Sequence, residues 1–228
     1  MVRYETEARH EVRGPDAAAP RWRRRVVGTV VVYGLVVLIA QALLLVGVAA
    51  ARLVGDRSTT DMAGVRNFRI VDDQTWAGGQ PDADAYRELA GRGVRLVVDL
   101  RTGSADDPTE DEPALLGQLG VGYLPLPVPD GHVPSEDQVR RFLAAVQETE
   151  GVVFVHCGGG VGRTSALTAA YSRATGAAPG LVDTMAVGPH TVEQLWFVAT
   201  GDTNPLVRRT SELLDAPRRA LSRLKGLV

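Results

Sequence analysis

Cysteine is almost missing from this chain: among its 228 residues there is one, Cys157. A disulfide framework within the chain is therefore excluded, and so is a metal site built on several thiolates. Histidine is scarce too, with four residues. No second His or Cys lies at ligand spacing from His156, so no metal is expected there. An excess of either charge sign is also lacking. The chain carries 25 Lys and Arg against 27 Asp and Glu, for a formal net charge of -2. That balance argues against a nucleic-acid binder. Proline and glycine are too few for a disordered chain, and 45% hydrophobic with 23% charged residues is a globular composition. The length admits one medium domain plus appendages. No internal repeat is present.

What is present begins with a long apolar run. Residues 1–25 are polar and end in Arg21-Trp22-Arg23-Arg24-Arg25, and no charged residue follows from Val26 to Ala51. At ~1.5 Å per residue a helix over 26–51 would be roughly 39 Å long, enough to cross a ~30 Å hydrocarbon core with some tilt. The small residues Ala49, Ala50 and Ala51 would suit a signal peptidase, but the run is far longer than the usual ~7–15 residue signal core. A single-pass anchor contacting membrane lipid through 26–51 is expected. The Arg cluster on its N-terminal side places the N-terminus in the cytoplasm and the rest of the chain outside. The organisation read from the sequence is a cytoplasmic basic tail (1–25), a transmembrane helix (26–51), a linker (52–66), a folded domain (67–202) and a C-terminal helical tail (203–228).

Within 67–202 strand and helix signals alternate. Phe68 to Val71 is expected as a strand, and Gly78-Gly79-Gln80-Pro81 as a turn. Asp82 or Asp84 can cap a helix carrying Tyr86 and Leu89 that ends near Gly91 and Gly93. The run from Val94 to Leu100 is apolar nearly throughout, as in a buried central strand. Gly103 to Pro113 is acidic and turn-rich, which predicts an exposed loop. Tyr123 to Val128 reads as a strand closed by prolines, and Ser135 with Gln138 as the capping box of a helix through Val146. A short strand at Val152 to Val155 leads to His156-Cys157, and a helix follows from Thr164 to Thr175. The alternation predicts an α/β fold with a central, mostly parallel sheet flanked by helices, preceded by the transmembrane helix.

The chemistry concentrates between the last strand and helix, in His156-Cys157-Gly158-Gly159-Gly160-Val161-Gly162-Arg163-Thr164. Glycines let backbone N–H groups turn inward without Cβ clashes, and the helix that follows aims its positive end at the same point. Such a strand–glycine loop–helix is a phosphate cradle. A nucleotide-binding P-loop needs Gly-x-x-x-x-Gly-Lys-Ser/Thr. Aligned on Gly162, this chain has Cys157 for the first Gly and Arg163 for the Lys, so that reading fails at both functional positions. Cys-x5-Arg fits instead. A thiolate at the mouth of the loop is stabilised by inward N–H groups and the helix terminus. Arg163 can grip two phosphate oxygens in a fork that Lys cannot copy. Those are the parts needed for phosphoryl transfer to the enzyme, with Gly158, Gly159, Gly160, Val161, Gly162 and Arg163 holding the phosphate.

On His156-Cys157-x-x-Gly160-x-x-Arg163-Thr164, the chain resembles the protein tyrosine and dual-specificity phosphatase superfamily, as a membrane-anchored bacterial member. Gly78-Gly79-Gln80-Pro81 and Val98-Asp99-Leu100-Arg101 also resemble segments of such domains, and the likeness covers about 66–175. The resemblance implies hydrolysis of a phosphate monoester through a cysteinyl phosphate, with no cofactor. It also implies a general acid, for which Asp130 in Pro129-Asp130-Gly131-His132 stands in a similar place. The acidic loop supplies Asp106, Asp107 and Asp111 as substitutes. Thr164 matches the hydroxyl that bonds the Cys sulfur and eases breakdown of the intermediate, and it can equally cap the helix. His156 is expected to orient the loop by hydrogen bonding. Gln194 is expected on a helix surface, although similar folds use a late Gln to position water. The uncharged loop residues Gly158, Gly159 and Val161 favour phosphotyrosine or mixed phosphoprotein substrates over highly phosphorylated inositides. An extracytoplasmic domain would instead meet sugar or lipid phosphates. A phosphate-binding pseudophosphatase that tethers a partner at the membrane is the non-enzymatic alternative, and a rhodanese-like sulfurtransferase the other enzymatic one. The basic amphipathic stretch Arg218 to Lys225 fits either a solvated tail or a contact with anionic lipid.

Overall fold

The computed structural model describes residues 21–54, 62–104, 111–176, 188 and 191–225. Helix α1 runs over Arg21–Val54, beginning within the Arg cluster rather than at Val26. Its stretch Arg25–Ala51 is long and apolar enough to cross a membrane, and a signal sequence would look the same. Leu38, Leu43 and Leu45 are each more than two-thirds exposed.

The elements after α1 are β1 (Arg69–Ile70), β2 (Thr75–Gly79), α2 (Ala83–Gly91), β3 (Val94–Asp99), α3 (Glu112–Gln118), β4 (Gly122–Pro125), α4 (Glu136–Glu148) and β5 (Val152–Cys157). They are followed by α5 (Arg163–Ala174), α6 (Val192–Thr200) and α7 (Pro205–Lys225). The sheet order is β1-β2-β5-β3-β4. The pairs β2–β5, β5–β3 and β3–β4 are parallel, and β1 is an antiparallel edge. This is the expected mostly parallel sheet, with β5 at its centre.

Side-chain alternation along β5 sorts the core. Val153, Val155 and Cys157 face one side with Phe142 and Val146 of α4 and Leu167 and Tyr171 of α5. Phe154 faces the other side with Ala85 and Leu89 of α2 and Leu116 of α3. β5 and the second half of β3 are buried on both faces, which is why they read as Val-rich runs.

Four local expectations need correction. Gly78 and Gly79 are strand residues rather than a turn, paired with His156 and Cys157. Glycine is needed there for close approach: a Cβ on Gly78 would lie 2.6 Å from Val65 Cγ1, and one on Gly79 would lie 3.1 Å from the Gly159 carbonyl carbon. The loop expected to reach Pro113 ends at Asp111, because α3 starts at Glu112 with Pro113 in its first turn. Proline costs no hydrogen bond at that position. The first strand is shorter than expected, with Phe68 and Val71 outside it. Likewise β4 ends at Pro125, although Leu126 and Val128 N–H still reach the carbonyls of Asp99 and Leu100 at 2.9 and 3.0 Å. The capping expectations hold. Asp82 accepts from Ala85 N at 2.9 Å, and Ser135 and Gln138 form a complete capping box.

Candidate active site

Parallel strands bring their carboxyl ends to one edge of the sheet, where α/β proteins place ligands. Here Gly79 of β2 and Cys157 of β5 stand side by side on that edge, and Asp99 of β3 pairs with His156. The loop Gly158–Gly162 leaves β5 at this point and runs into α5, whose N-terminus follows at Arg163.

Peptide geometry defines the two faces of the loop. In a trans peptide the C=O of one residue and the N–H of the next point in opposite directions. The carbonyls of Gly158, Gly159 and Gly160 are bound by Arg66 Nη2 at 3.0 Å, Asn67 Nδ2 at 2.8 Å and Arg69 Nη1 at 2.9 Å. The N–H groups of Gly159, Gly160 and Val161 therefore face away from those side chains. Gly160 has φ +74, and a Cβ there would sit 2.2 Å from Gly79 N. Only glycine fits that position. At the end of the loop the Val161 carbonyl accepts from the Cys157 thiol at 3.3 Å. Accordingly, the Gly162 N–H points the other way, to the Gly188 carbonyl at 2.8 Å.

Arg163 is buried, and its Nη1 donates to the carbonyls of Leu100 and Val128, both at 3.2 Å. These carbonyls lie just beyond β3 and β4, so the guanidinium bridges the ends of neighbouring strands beside the loop. Thr164 is fully buried, and its Oγ1 meets no hydrogen-bond partner among the described residues. α5 starts without a side-chain cap, and Thr164 Oγ1 makes neither that cap nor a bond to the Cys157 sulfur in this structure.

Asp130 is exposed, two residues after the Val128 carbonyl that holds Arg163. Its turn is tied to the start of α6. Thr191 Oγ1 donates to Gly131 O at 2.7 Å, Gln194 Nε2 to His132 O at 3.1 Å, and the His132 ring meets Glu193 at 2.8 Å. From the other side, Gln138 Nε2 of α4 donates to Pro127 O at 2.6 Å. Gln194 corrects the surface expectation, since it is 1% exposed. It packs on the loop itself: a Cβ on Gly162 would come 2.9 Å from its Oε1. It thus touches both the Cys157 loop and the Asp130 turn. Of the substitutes for Asp130, Asp106 and Asp107 lie outside the described residues. Asp111 precedes α3 without making a side-chain cap. The side chains from Arg218 onward also lie outside the described residues.

His156 points to the opposite side of β5 from Cys157. Its Nε2 meets Glu112 Oε1 at 2.7 Å, and Tyr86 Oη also donates to Glu112. Arg101 binds Asp99 through Nε at 3.0 Å and Nη2 at 2.9 Å, and it pairs with Glu112. Tyr123 Oη completes the group on Asp99 at 2.9 Å. Burial pulls the His156 pKa down to about 4 against the opposing pull of Asp99, so the ring is neutral at pH 7. Asp99, Glu112 and His156 bring donor atoms within 4.8 Å of one another, all buried. Arg101 already occupies both carboxylates, so the chemistry of the group is that of a closed ion network rather than a cation site.

Sequence reasoning missed Arg66, Asn67, Arg69, Glu112, Thr191 and Glu193. Each reaches the site from a distant segment, and none carries a local signal.

Residues 58–191, more than half the chain, match the family described as DSP-PTPase phosphatase fused to NAD+ kinase. A beta-lactamase hydrolase-like protein of Xylella fastidiosa (strain 9a5c) is 35% identical over 98 residues, 41% of this chain and 22% of that protein. The human dual specificity protein phosphatase CDC14A is 52% identical over 42 residues, 18% of this chain and 7% of its own length. The chain thus spans less than a quarter of these curated relatives. Among solved structures, the core catalytic domain of the PP-IP phosphatase SIW14 from S. cerevisiae superposes with a TM-score of 0.51 at 14% identity. That match covers 67% of this chain and 94% of the other, and it shows the fold.

Proposed function

The chain belongs to the family of DSP-PTPase phosphatases fused to NAD+ kinase, and on that premise we propose that it hydrolyses phosphate monoesters through a cysteinyl phosphate on Cys157. One observation carries the reading. Cys157 and Arg163 flank a loop at the carboxyl edge of a parallel sheet, and three consecutive bound carbonyls turn the N–H groups of that loop to the opposite side.

In the first step the Cys157 thiolate attacks phosphorus in line, an S–P bond forms, and the bond to the ester oxygen breaks. Asp130 gives its proton to the departing alcohol or phenol. The N–H groups of Gly159, Gly160 and Val161, with the Arg163 guanidinium, hold the equatorial oxygens as charge builds on them. The Val161–Gly162 peptide, now turned toward the thiol, completes the cradle from Gly158 to Gly162 once it rotates. In the second step water loses a proton to Asp130 and attacks phosphorus, and the S–P bond breaks to release inorganic phosphate and the thiolate. Gln194, in contact with both loops, orients that water, and the buried Thr164 hydroxyl donates to the departing sulfur.

The preferred substrates are phosphotyrosine or mixed phosphoproteins, because Gly158, Gly159 and Val161 add no charge beyond Arg163. The dual-specificity name of CDC14A supports the same class. The catalytic domain, 67–202, is anchored by the helix over 26–51 and followed by a helical tail at 203–228. The Arg-rich flank favours a cytoplasmic N-terminus and a domain outside, where sugar or lipid phosphates would take the place of phosphoproteins.

Hydrolysis of an aryl phosphate by the full chain in detergent tests this reading, beside Cys157→Ser and Asp130→Ala. The first substitution is expected to remove turnover, and the second to lower kcat by ~10²–10⁴-fold, the usual share of a general acid. Absence of turnover by the folded, reduced chain would leave a phosphate-binding tether in its place.

A further inference from the structure

The loop's outer face is held by one short segment, Arg66-Asn67-Phe68-Arg69, more than 90 positions away in the chain. We propose that this segment is a positioning device that holds the first three peptides of the Cys157 loop, from Gly158 to Val161, in their anion-binding orientation, with Arg69 as a buried cation behind the loop. The proposal rests on the phosphatase reading for its purpose, but not for its test.

Three features set the segment apart from ordinary packing. Its three polar side chains take three successive carbonyls of the loop, one each. A loop of glycines has no side chains to fix its peptide planes and would otherwise sample many orientations. Binding each C=O from outside fixes each following N–H on the inside, where an anion would sit.

Second, Asn67 has φ +52 and is the one non-glycine residue with positive φ among the described residues. That conformation is tolerated by Asn but remains costly, and it persists where surrounding contacts demand it. Here the demand comes from both sides. The Asn67 amide reaches Gly159 O, while the preceding Arg66 carbonyl accepts from Gly79 N at 2.6 Å. Phe68, between them, is clamped in the core against Trp76 and Phe154, with ring centroids 5.7 and 6.4 Å away.

Third, Arg69 is buried, and its partners are carbonyls and hydroxyls. It meets Asn67 O and Gly160 O through Nη1, and Ser165 Oγ and Thr168 Oγ1 of α5 through Nη2 at 3.5 and 3.4 Å. Among the described residues it meets no carboxylate, so its charge is not neutralised locally. Burial pulls its pKa down to about 10, with Cys157 opposing, and it remains protonated at neutral pH. Other charged or titratable side chains close to Cys157 include Arg66 on the Gly158 carbonyl, Arg163 of α5, the neutral His156 of β5, and Tyr171, which packs in the same core cluster and bonds Asp72.

Because Cys157 is the one cysteine of the chain, its alkylation by iodoacetamide can be followed without ambiguity. The experiment measures the alkylation rate against pH for the full chain in detergent, with and without inorganic phosphate as protectant. Arg69→Met is expected to raise the pH midpoint by about one unit, as loss of a nearby opposite charge does, and to weaken phosphate protection about tenfold. Arg69→Lys keeps the charge and is expected to restore the midpoint while recovering only part of the protection. Asn67→Gly preserves the positive φ and removes only the bond to Gly159 O. It is expected to weaken protection several-fold at an unchanged midpoint, and it serves as the test if Arg69→Met does not fold. Unchanged midpoint and protection in folded Arg69→Met, or unchanged protection in Asn67→Gly, would overturn the proposal. Phosphate protection that depends on these residues in a chain without turnover would sink the enzymatic reading alone.

Discussion

Arg69 and Arg101 are both buried next to the strand that carries Cys157, and they are satisfied in opposite ways. Arg101 sits between Asp99 and Glu112 on the His156 side of the sheet. Arg69 sits on the Cys157 loop and meets only carbonyls and hydroxyls among the described residues. A cation wrapped in carboxylates is spent on structure, because its field is cancelled where it stands. One held by neutral dipoles keeps its field, and in a low-dielectric interior that field reaches the adjacent group. The two regions divide accordingly: the Arg101 network ties β3, α3 and β5 together through Asp99, Glu112 and His156, and the Arg69 segment is proposed to leave positive potential beside Cys157.

The sharpest way to break this comparison is to remove each cation by the same substitution. Arg101→Met strands two carboxylates in the interior, and urea unfolding is expected to show a loss of ~3–5 kcal/mol. Arg69→Met strands carbonyls and hydroxyls instead, and the same measurement should give a loss of about 1–3 kcal/mol. Equal losses would mean that Arg69 has a carboxylate partner after all.

The Arg101 region can also be probed by pH. The His156 pKa falls from 6.5 in the unfolded chain to about 4 in the fold. Between those values the unfolded chain binds more protons, so stability should be full above pH 6.5 and fall as pH drops toward 4. The loss is on the order of 3 kcal/mol. Unfolding curves across that range should flatten in His156→Gln, which cannot take up the proton. A wild-type chain with equal stability at both ends of the range would contradict a neutral, buried His156.

How much of this was legible beforehand depends on where the determinants lie. The run from β5 through the loop into α5 has its strand residues, glycines, Cys157 and Arg163 within one continuous stretch, so local reasoning reached the proposed nucleophile and the proposed clamp together. The sheet followed from the alternation of apolar runs with capped helices. The buttress was not legible, because Arg66, Asn67 and Arg69 acquire meaning only when β1 and β2 pair beside β5. Gln194 looked like a surface residue because burial of a helix face is decided by what packs on it, here Gly162. Glu112 was hidden in a stretch whose acidic and proline content suggested a loop, although Pro113 is well tolerated in a first helical turn. The Gly78-Gly79 pair misled in the other direction: glycines that read as a turn serve a close approach between backbones.

The central claim is the covalent role of Cys157, and trapping the intermediate tests it most directly. The full chain in detergent would be mixed with an aryl phosphate, quenched in acid during turnover, digested and examined by mass spectrometry. Asp130→Asn, slow to activate water, would be run beside it. The account predicts phosphate on the peptide bearing Cys157, with more of it in Asp130→Asn when the aryl phosphate has a leaving phenolate that needs no proton, since only the water step then depends on Asp130. Continued turnover with no phosphate on that peptide, and undiminished activity in Cys157→Ser, would contradict it.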